Sequence, residues 1–122
     1  MRTSGILMHI TSLPGPYGIG TLGKSAHEFV DFLHRAGQSY WQILPLTPTG
    51  YGDSPYQSCS TFAGNHYLID LDALIGAGLL TEAEANAPVW YSREEKADFG
   101  LLYNSRLAVL RQAFARFPGS ME

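Results

Sequence analysis

The sequence predicts an α/β fold with a parallel sheet, and three stretches of the chain carry this prediction. The apolar run "GILMHI" at 5–10 does not alternate with polar residues, which is typical of a strand buried on both faces. After a loop rich in proline and glycine, "KSAHEFVDFLHRAG" has the apolar spacing of a helix. "SYWQILPL" at 39–46 has the aromatic and branched residues of a second strand. This βαβ order requires parallel strands.

The helix after the first strand is predicted from its apolar face and its end signal. Gly37 is a natural C-terminal stop because glycine readily adopts the left-handed conformation that closes many helices. The apolar residues recur three or four positions apart, and this spacing places them on one face of the helix. They are Ala26, Phe29, Val30, Leu33 and Ala36.

A long loop follows the second strand. Residues 47–66 show little periodicity, and loops of this length in a folded protein are usually functional or disordered. Tyr51, Tyr56 and Phe62 favour an ordered loop, because disordered segments contain few aromatic residues. The loop is therefore a candidate functional element.

Two helices are predicted from capping residues in the last part of the chain. Thr81 and Glu84 form a T-x-x-E capping box for a short helix that must end before Pro88. Asp98 can cap a longer helix that runs to about Phe117. The predicted apolar face of this helix comprises Tyr103, Leu107, Leu110, Phe114 and Phe117.

Composition excludes several classes of function. The 122 residues carry a formal net charge of −3 without a dense basic run, which argues against nucleic-acid binding. Cys59 is the single cysteine, so no internal disulfide is possible. The four histidines have no zinc-ligand spacing, so we expect no metal. Without a signal segment or a run of membrane-spanning length, the expectation is a cytoplasmic protein that does not bind membranes.

The segment "GIGTLGKS" at 18–25 matches the phosphate-binding pattern G-x-x-x-x-G-K-[ST] letter for letter. In a P-loop the first glycine follows a buried strand almost at once. Here Pro14 and Pro16 stand between the predicted strand and Gly18, and neither proline fits a central strand. A nucleotide-binding function is therefore the weaker alternative, and the glycines are expected to serve a tight loop before a helix.

Three strings of residues resemble the N-terminal region of the 4-alpha-glucanotransferases, also called amylomaltases or disproportionating enzymes. They are "GILMHITSLPGPYGIGTLG", "AGQSYWQILPLTPTGYGDSPYQS" and "FAGNHYLIDLD", and the similarity continues through "DFGLLY". The likeness covers nearly the whole chain but only about the first quarter of a family member. His66 and Cys59 depart from the usual family strings, which affects local packing more than function.

The resemblance implies a (β/α)8 barrel, of which this chain would supply strands 1 and 2 at residues 1–74. Residues 75–122 would form part of a helical insertion. A complete barrel needs roughly 250 residues, so the chain is expected to be part of a larger protein. The implied reaction transfers α-1,4-glucan segments between maltooligosaccharides with retention, which normally requires two carboxylates. Family members carry these carboxylates downstream, so no catalytic residue and no cofactor is assigned here.

The resemblance implies sugar contacts for four residues. Tyr56 and Ser54 would lie at the active-site cleft near the donor sugar, whereas Tyr51 and Tyr103 would form a secondary glucan-binding groove. Ordinary packing is the alternative for each tyrosine, and it is strongest for Tyr103, which falls on the predicted apolar face. Asp53 is expected to brace its turn rather than to catalyse.

Three further aromatic residues, Tyr40, Trp41 and Phe62, are expected in the core. A non-catalytic glucan-binding module remains the alternative to an enzyme fragment. This alternative would use Tyr51 and Tyr103 as a sugar-binding platform. The hypothesis of an enzyme fragment is favoured, because the motifs shared with the family belong to a barrel interior.

Overall fold

A computed structural model describes residues 1–50, 52, 54, 56–93 and 96–119. The elements follow one another as β1 (Gly5–Leu7), a first 3₁₀ helix (Ile10–Ser12), α1 (Lys24–Arg35), β2 (Tyr40–Gln42), a second 3₁₀ helix (His66–Leu68), α2 (Leu71–Gly76), α3 (Glu82–Asn86) and α4 (Phe99–Ala115). None of the helices in these described ranges is long and apolar enough to cross a membrane.

The predicted βαβ unit is present. β1 and β2 pair in parallel, with Ile6 opposite Trp41, and α1 connects them. Both strands are shorter than predicted, and after β1 the chain enters the 3₁₀ helix at Ile10. The loop that follows each strand therefore starts at the same edge of the sheet.

The prediction that β1 is buried on both faces is wrong for this chain. All three of its residues are exposed, and Leu7 keeps 61% of its accessible surface. Tyr40 of β2 keeps 64%, so its predicted core position is also wrong. The physical reason is that the described residues supply one two-stranded sheet and too few other elements to pack against both of its faces.

Helix α1 forms where predicted and ends before Gly37, whose φ of 72° is the left-handed conformation expected of a helix stop. Only part of the predicted apolar face is buried, namely Ala26 and Leu33. Val30 and Ala36 are exposed. Phe29 is partly buried and its ring lies 4.9 Å from the Trp41 ring, which places Trp41 against the smaller core.

Two hydrophobic clusters hold the fold. The smaller cluster lies between α1 and the loops after the strands, and its buried members are Ile10, Leu13, Ala26 and Leu68. The larger cluster joins the loop after β1 to the helical part of the chain, and its buried members are Tyr17, Ile19, Tyr67, Leu71, Leu80, Ala85, Trp90, Leu102, Val109 and Ala113.

Both predicted helix caps are present. The hydroxyl of Thr81 accepts a hydrogen bond from the Glu84 amide at 3.2 Å, and the Glu84 carboxylate accepts one from the Thr81 amide at 3.0 Å. Asp98 accepts from the Leu101 amide at 3.1 Å and starts α4. These short local patterns were sufficient to place both helix starts.

The predicted apolar face of α4 is only partly correct, because Leu110 packs against the larger cluster whereas most of the other predicted members are exposed. The buried residues of the helix are Leu102, Arg106, Val109 and Ala113, whereas Tyr103 keeps 69% of its accessible surface. The prediction counted only apolar residues, and the packed face includes an arginine. Phe114 and Phe117, which were predicted to face the core, are more than half exposed and line an open apolar groove.

Candidate functional site

The loop after β1 is held in place by side chains from later parts of the chain. The Tyr17 hydroxyl donates to Asp72 Oδ1 at 2.6 Å, and the Tyr91 hydroxyl donates to the Gly15 carbonyl. Burial, followed by the hydrogen bond to Asp72, raises the pKa of Tyr17 to about 12. The phenol is therefore neutral and remains a donor at neutral pH.

Arg106 ties this loop to two other segments from inside the protein. Its side chain is fully buried, and its guanidinium donates to the carbonyls of Tyr17, at 3.5 Å, and Ile69. The guanidinium carbon also lies 6.0 Å from the centroid of the Trp90 ring, within the range of a cation–π contact. Burial lowers the pKa of Arg106 to about 10, which leaves the group charged at neutral pH.

The glycines of "GIGTLGKS" serve close packing in this loop. Gly18 has a φ of 82°, and a Cβ there would lie 2.6 Å from the Trp90 carbonyl oxygen. Gly23 is the N-cap of α1, and a Cβ at that position would overlap the Asp70 carboxylate. Lys24 forms an exposed ion pair with Glu28 at 3.6 Å. The motif's glycines thus have structural explanations, as the sequence predicted.

Asp70 is also a structural residue of this loop region. Its carboxylate accepts from the Thr21 hydroxyl at 2.9 Å and from the Ala73 amide at 3.0 Å. It therefore caps α2 and anchors the chain just before α1. The sequence did not predict this link, because Thr21 and Asp70 are far apart along the chain.

Two adjoining cavities open where β1 and β2 end. The first has a volume of about 230 Å³, and the polar residues that line it are His9, Thr11, Ser12, Thr49 and Asn65. The second, of about 480 Å³, is lined in part by Tyr91 and Lys96. Both cavities share Thr11, Ser12 and Phe99, so they lie side by side at the edge where parallel α/β sheets bind ligands.

His9 and Asn65 are the buried polar groups of the first cavity. The Nδ1 atom of His9 is buried and has no hydrogen-bond partner within the described parts of the chain. Burial lowers the pKa of His9, so its imidazole is neutral at neutral pH. Asn65 keeps 8% of its accessible surface, and its Oδ1 accepts from the Tyr67 amide at 2.9 Å. Its Nδ2 is the atom that can donate to a ligand.

Ser54 and Tyr56 lie on one turn of the long loop. The Ser54 hydroxyl oxygen accepts from the Tyr56 amide at 3.3 Å, and the Gln57 amide donates to the Ser54 carbonyl at 3.1 Å. The Gly50 amide in turn donates to the Gln57 carbonyl at 3.1 Å, which closes the base of the turn. Tyr56 keeps 72% of its surface, so its ring is available to a ligand.

The other predicted site residues are not brought together with this turn by any described contact. Tyr51 and Asp53 lie outside the residues that the structure describes. Tyr103 is exposed on α4 and is not packed in the core of the described residues, and its predicted sugar contact stays a prediction. Phe62 is fully exposed at 100%, which contradicts its predicted core position and leaves it as a further surface aromatic of the loop.

No sequence motif pointed to the cavity residues His9, Thr49 and Asn65. Their positions in the sequence could have indicated that they lie together, because His9 follows β1 closely and the loop that contains Thr49 follows β2. Residues at the carboxyl ends of parallel strands meet at one edge of the sheet. In the described part of the chain, no group of three or more His, Cys, Asp or Glu side chains is placed to hold a metal ion.

Comparison with known proteins accounts for this arrangement. The sequence model of the family described as 4-alpha-glucanotransferase matches residues 8–122. The chain belongs to this family. A 4-alpha-glucanotransferase of Clostridium butyricum is 56% identical over 110 residues, which are 90% of this chain and 23% of the relative. The Thermus thermophilus 4-alpha-glucanotransferase is 52% identical over 116 residues, which are 95% of this chain and 22% of the relative.

A solved structure of the family has the same fold. The amylomaltase of Streptococcus agalactiae, in complex with acarbose, superposes with a TM-score of 0.91 at 46% identity. The superposition covers 98% of this chain and 25% of the amylomaltase. The described α/β unit is therefore the N-terminal part of a 4-alpha-glucanotransferase barrel, as the sequence predicted. The chain spans about a quarter of the length of the relatives that it matches.

Proposed function

We propose that this chain supplies part of the glucan-binding cleft of a 4-alpha-glucanotransferase that moves α-1,4-glucan segments between maltooligosaccharides with retention. The observation that carries the proposal is the pair of adjoining cavities at the ends of β1 and β2, in a chain of this family. Active sites of (β/α)8 enzymes lie at the carboxyl ends of the strands.

The residues support sugar binding rather than catalysis within this chain. A retaining mechanism uses two carboxylates, one as nucleophile and one as general acid and base. We assign both to parts of the enzyme outside residues 1–122, and we propose no metal or cofactor. Asp70 and Asp98 are committed to helix caps, and Asp72 accepts the Tyr17 hydroxyl.

Tyr56 and Ser54 are proposed to contact the donor sugar. The largely exposed Tyr56 ring offers a flat apolar face to the C–H face of a sugar, and its turn is held by hydrogen bonds. The Ser54 hydroxyl uses its oxygen to accept from a backbone amide, so its proton is free to be donated to a sugar hydroxyl. Tyr51 and Tyr103 are proposed for a separate glucan groove.

The chain is proposed to consist of two segments with different structural roles. Residues 1–74 supply the first βα units of the barrel, and residues 75–122 belong to a helical insertion. Helix α2 crosses the proposed boundary, and the larger hydrophobic cluster joins Tyr17 and Ile19 of the first segment to Leu102 and Val109 of the second. The insertion thereby supports the loop that forms one wall of the second cavity.

A hybrid enzyme tests the proposal. The matched segment of the Thermus thermophilus relative is replaced by this chain, and disproportionation of maltotriose is measured. We expect activity in the hybrid and none in the 122-residue chain alone. Loss of activity in a correctly folded hybrid would contradict the proposed function.

The Tyr56→Ala change in the hybrid tests the proposed sugar contact. We expect it to lower kcat/KM by about tenfold, which corresponds to about 1.4 kcal/mol of lost transition-state binding. Phe62→Ala is the matched control, because Phe62 is an exposed aromatic residue of the same loop. Equal effects of both changes would argue against a specific role for Tyr56.

A further inference from the structure

We propose that Tyr91 is a positioning residue for glucan transfer, because its hydroxyl holds the loop after β1 in the shape that bounds the second cavity. This inference rests on the proposed glucan-transferring function and gives one side chain of the 75–122 segment a part in it. The Tyr91 hydroxyl donates to the Gly15 carbonyl, and Tyr91 lines the cavity together with Pro14 and Gly18. The same side chain therefore contacts the cavity and the loop that encloses it.

This loop depends on side chains from later parts of the chain for its shape. Residues 14–19 belong to no helix or strand, and they include two prolines, which have no amide hydrogen to donate. Among the described residues, the hydrogen bonds that join this stretch to the chain beyond α1 are made by side chains, namely those of Tyr17, Tyr91 and Arg106. The loss of one of these contacts should therefore change the shape of the loop.

The neighbouring residue Trp90 fixes the place from which Tyr91 reaches the loop. Trp90 is buried, and its indole N–H donates to the Ala85 carbonyl of α3 at 2.8 Å. Its ring meets the Tyr17 ring edge to face, with the two centroids 6.1 Å apart. Tyr91 itself packs against the larger hydrophobic cluster. The hydroxyl that donates to Gly15 is therefore carried by an anchored segment, which is what a positioning role requires.

Loss of the Tyr91 hydroxyl should change the loop without unfolding the core. The hydrogen bond to Gly15 is only partly buried, so water can replace the lost donor in Tyr91→Phe, and the ring can stay against the larger cluster. Loop shapes other than the observed one then become populated. A protein that has its binding shape for only a fraction of the time binds with an affinity reduced by that fraction. The expected result is therefore a raised KM with a nearly unchanged kcat.

Hydrogen exchange of the 122-residue chain, measured by mass spectrometry of its peptides, tests the loop contact. The reporters are the amides of Gly20 and Leu22, which donate to backbone carbonyls at 3.2 and 3.0 Å. In Tyr91→Phe we expect exchange there to be at least about fivefold faster, and exchange in α1 to be unchanged. Tyr40→Phe is the matched control, because Tyr40 is exposed on β2. Equal exchange in both variants, or equal acceleration in the loop and in α1, would overturn the proposed role.

The same pair of variants in the hybrid enzyme separates this inference from the proposed function, and decides it if the isolated chain does not fold. Tyr91→Phe is expected to raise KM for maltotriose by about threefold to fivefold with kcat changed by less than about twofold, whereas Tyr40→Phe changes neither. A merely structural role would instead reduce the amount of folded enzyme, which lowers the apparent kcat and leaves KM unchanged. An active hybrid in which Tyr91→Phe keeps the parental KM would refute the positioning role and leave the transferase function standing. An inactive hybrid combined with faster exchange confined to the loop would contradict the proposed function and support the contact between Tyr91 and the loop.

Discussion

The guanidinium of Arg106 lies 6.0 Å from the centre of the Trp90 ring and is fully buried. From this position it donates to the carbonyls of Tyr17 and Ile69, which belong to two separate loops. Its Nε has no hydrogen-bond partner in the described parts of the chain. One buried cation on α4 therefore connects the loop after β1 with the segment that precedes α2.

Replacing Arg106 by alanine should destabilise the chain strongly. The carbonyls of Tyr17 and Ile69 lose their donor and a cavity remains in the core, so we expect the free energy of unfolding to fall by about 3–5 kcal/mol. Urea unfolding followed by circular dichroism measures this. Arg111→Ala on the same helix is the control, because Arg111 is exposed, and it should change stability by less than about 0.5 kcal/mol. Similar losses for both variants would contradict the proposed link.

Gly18→Ala should lower stability, whereas Gly76→Ala should raise it. At Gly18 the φ of 82° strains any other residue, and the new Cβ would meet the Trp90 carbonyl, so a loss of at least about 1–3 kcal/mol is expected. At Gly76 no atom lies within 4 Å of the added Cβ, and a gain of about 0.4–1 kcal/mol is expected. Thermal unfolding of the two variants checks the opposite signs.

The ion pair between Glu84 and Arg116 should stabilise the chain only above acid pH. The hydrogen bond from Arg116, at 2.5–2.6 Å, is the main cause that lowers the pKa of Glu84 from 4.5 to about 2. A lowered folded-state pKa contributes stability above the unfolded pKa, and this contribution is lost as pH falls from about 4.5 to 2. The difference in Tm between the wild type and Glu84→Gln should therefore become smaller as the pH is lowered through this range.

The same measurement in an Arg116→Gln background is the control for this ion pair. Without the guanidinium, Glu84→Gln should cause a smaller change whose dependence on acid pH is weaker, because only the Thr81 contacts remain. A Tm difference that stays constant between pH 7 and about pH 2 would show that the pair does not contribute as described.

Tyr17 should make the chain sensitive to alkaline pH. Its pKa is raised from 10.0 to about 12, first by burial and then by the hydrogen bond to Asp72. A raised folded-state pKa gives stability that is complete below pH 10 and is lost as pH rises from about 10 to 12. The stability difference between wild type and Tyr17→Phe should shrink in this window. Tyr103→Phe, at an exposed position, should not reproduce this behaviour.

Tyr103→Ala should weaken binding of long glucans more than of short ones. The residue keeps 69% of its surface, and stacking of a sugar on an exposed ring requires no rearrangement of the core. In the hybrid enzyme we expect the rate with maltotriose to be unchanged and the affinity for long maltodextrins to fall by about threefold or more. An equal loss with both substrates would place Tyr103 at the active-site cleft instead.

Local patterns in the sequence were sufficient for much of the fold. The Thr81–Glu84 capping box, the Asp98 cap and the Gly37 stop were all predicted, because each depends on residues a few positions apart. The parallel order of β1 and β2 followed from a βαβ pattern. The predicted family was confirmed by the family model that matches residues 8–122. It could be predicted because its motifs are long and contiguous.

The errors arose where distant segments meet. The face of α4 was only partly correct because Arg106 is buried only through carbonyls supplied by Tyr17 and Ile69, far away in the sequence. Tyr40 and Phe62 are aromatic residues that nothing in the described chain covers sufficiently to bury them. Apolar character predicts a tendency to be buried, whereas burial itself requires a partner surface.

The sequence by itself determined the helix starts, the parallel βαβ unit, the structural use of the "GIGTLGKS" glycines and the family. These depend on backbone geometry and on contiguous motifs, which a linear string records directly. Only the tertiary structure decided that His9, Thr49 and Asn65 line one cavity and that Arg106 ties two loops together. Such sites form when folding brings separate segments within hydrogen-bond distance, and no local spacing encodes that distance.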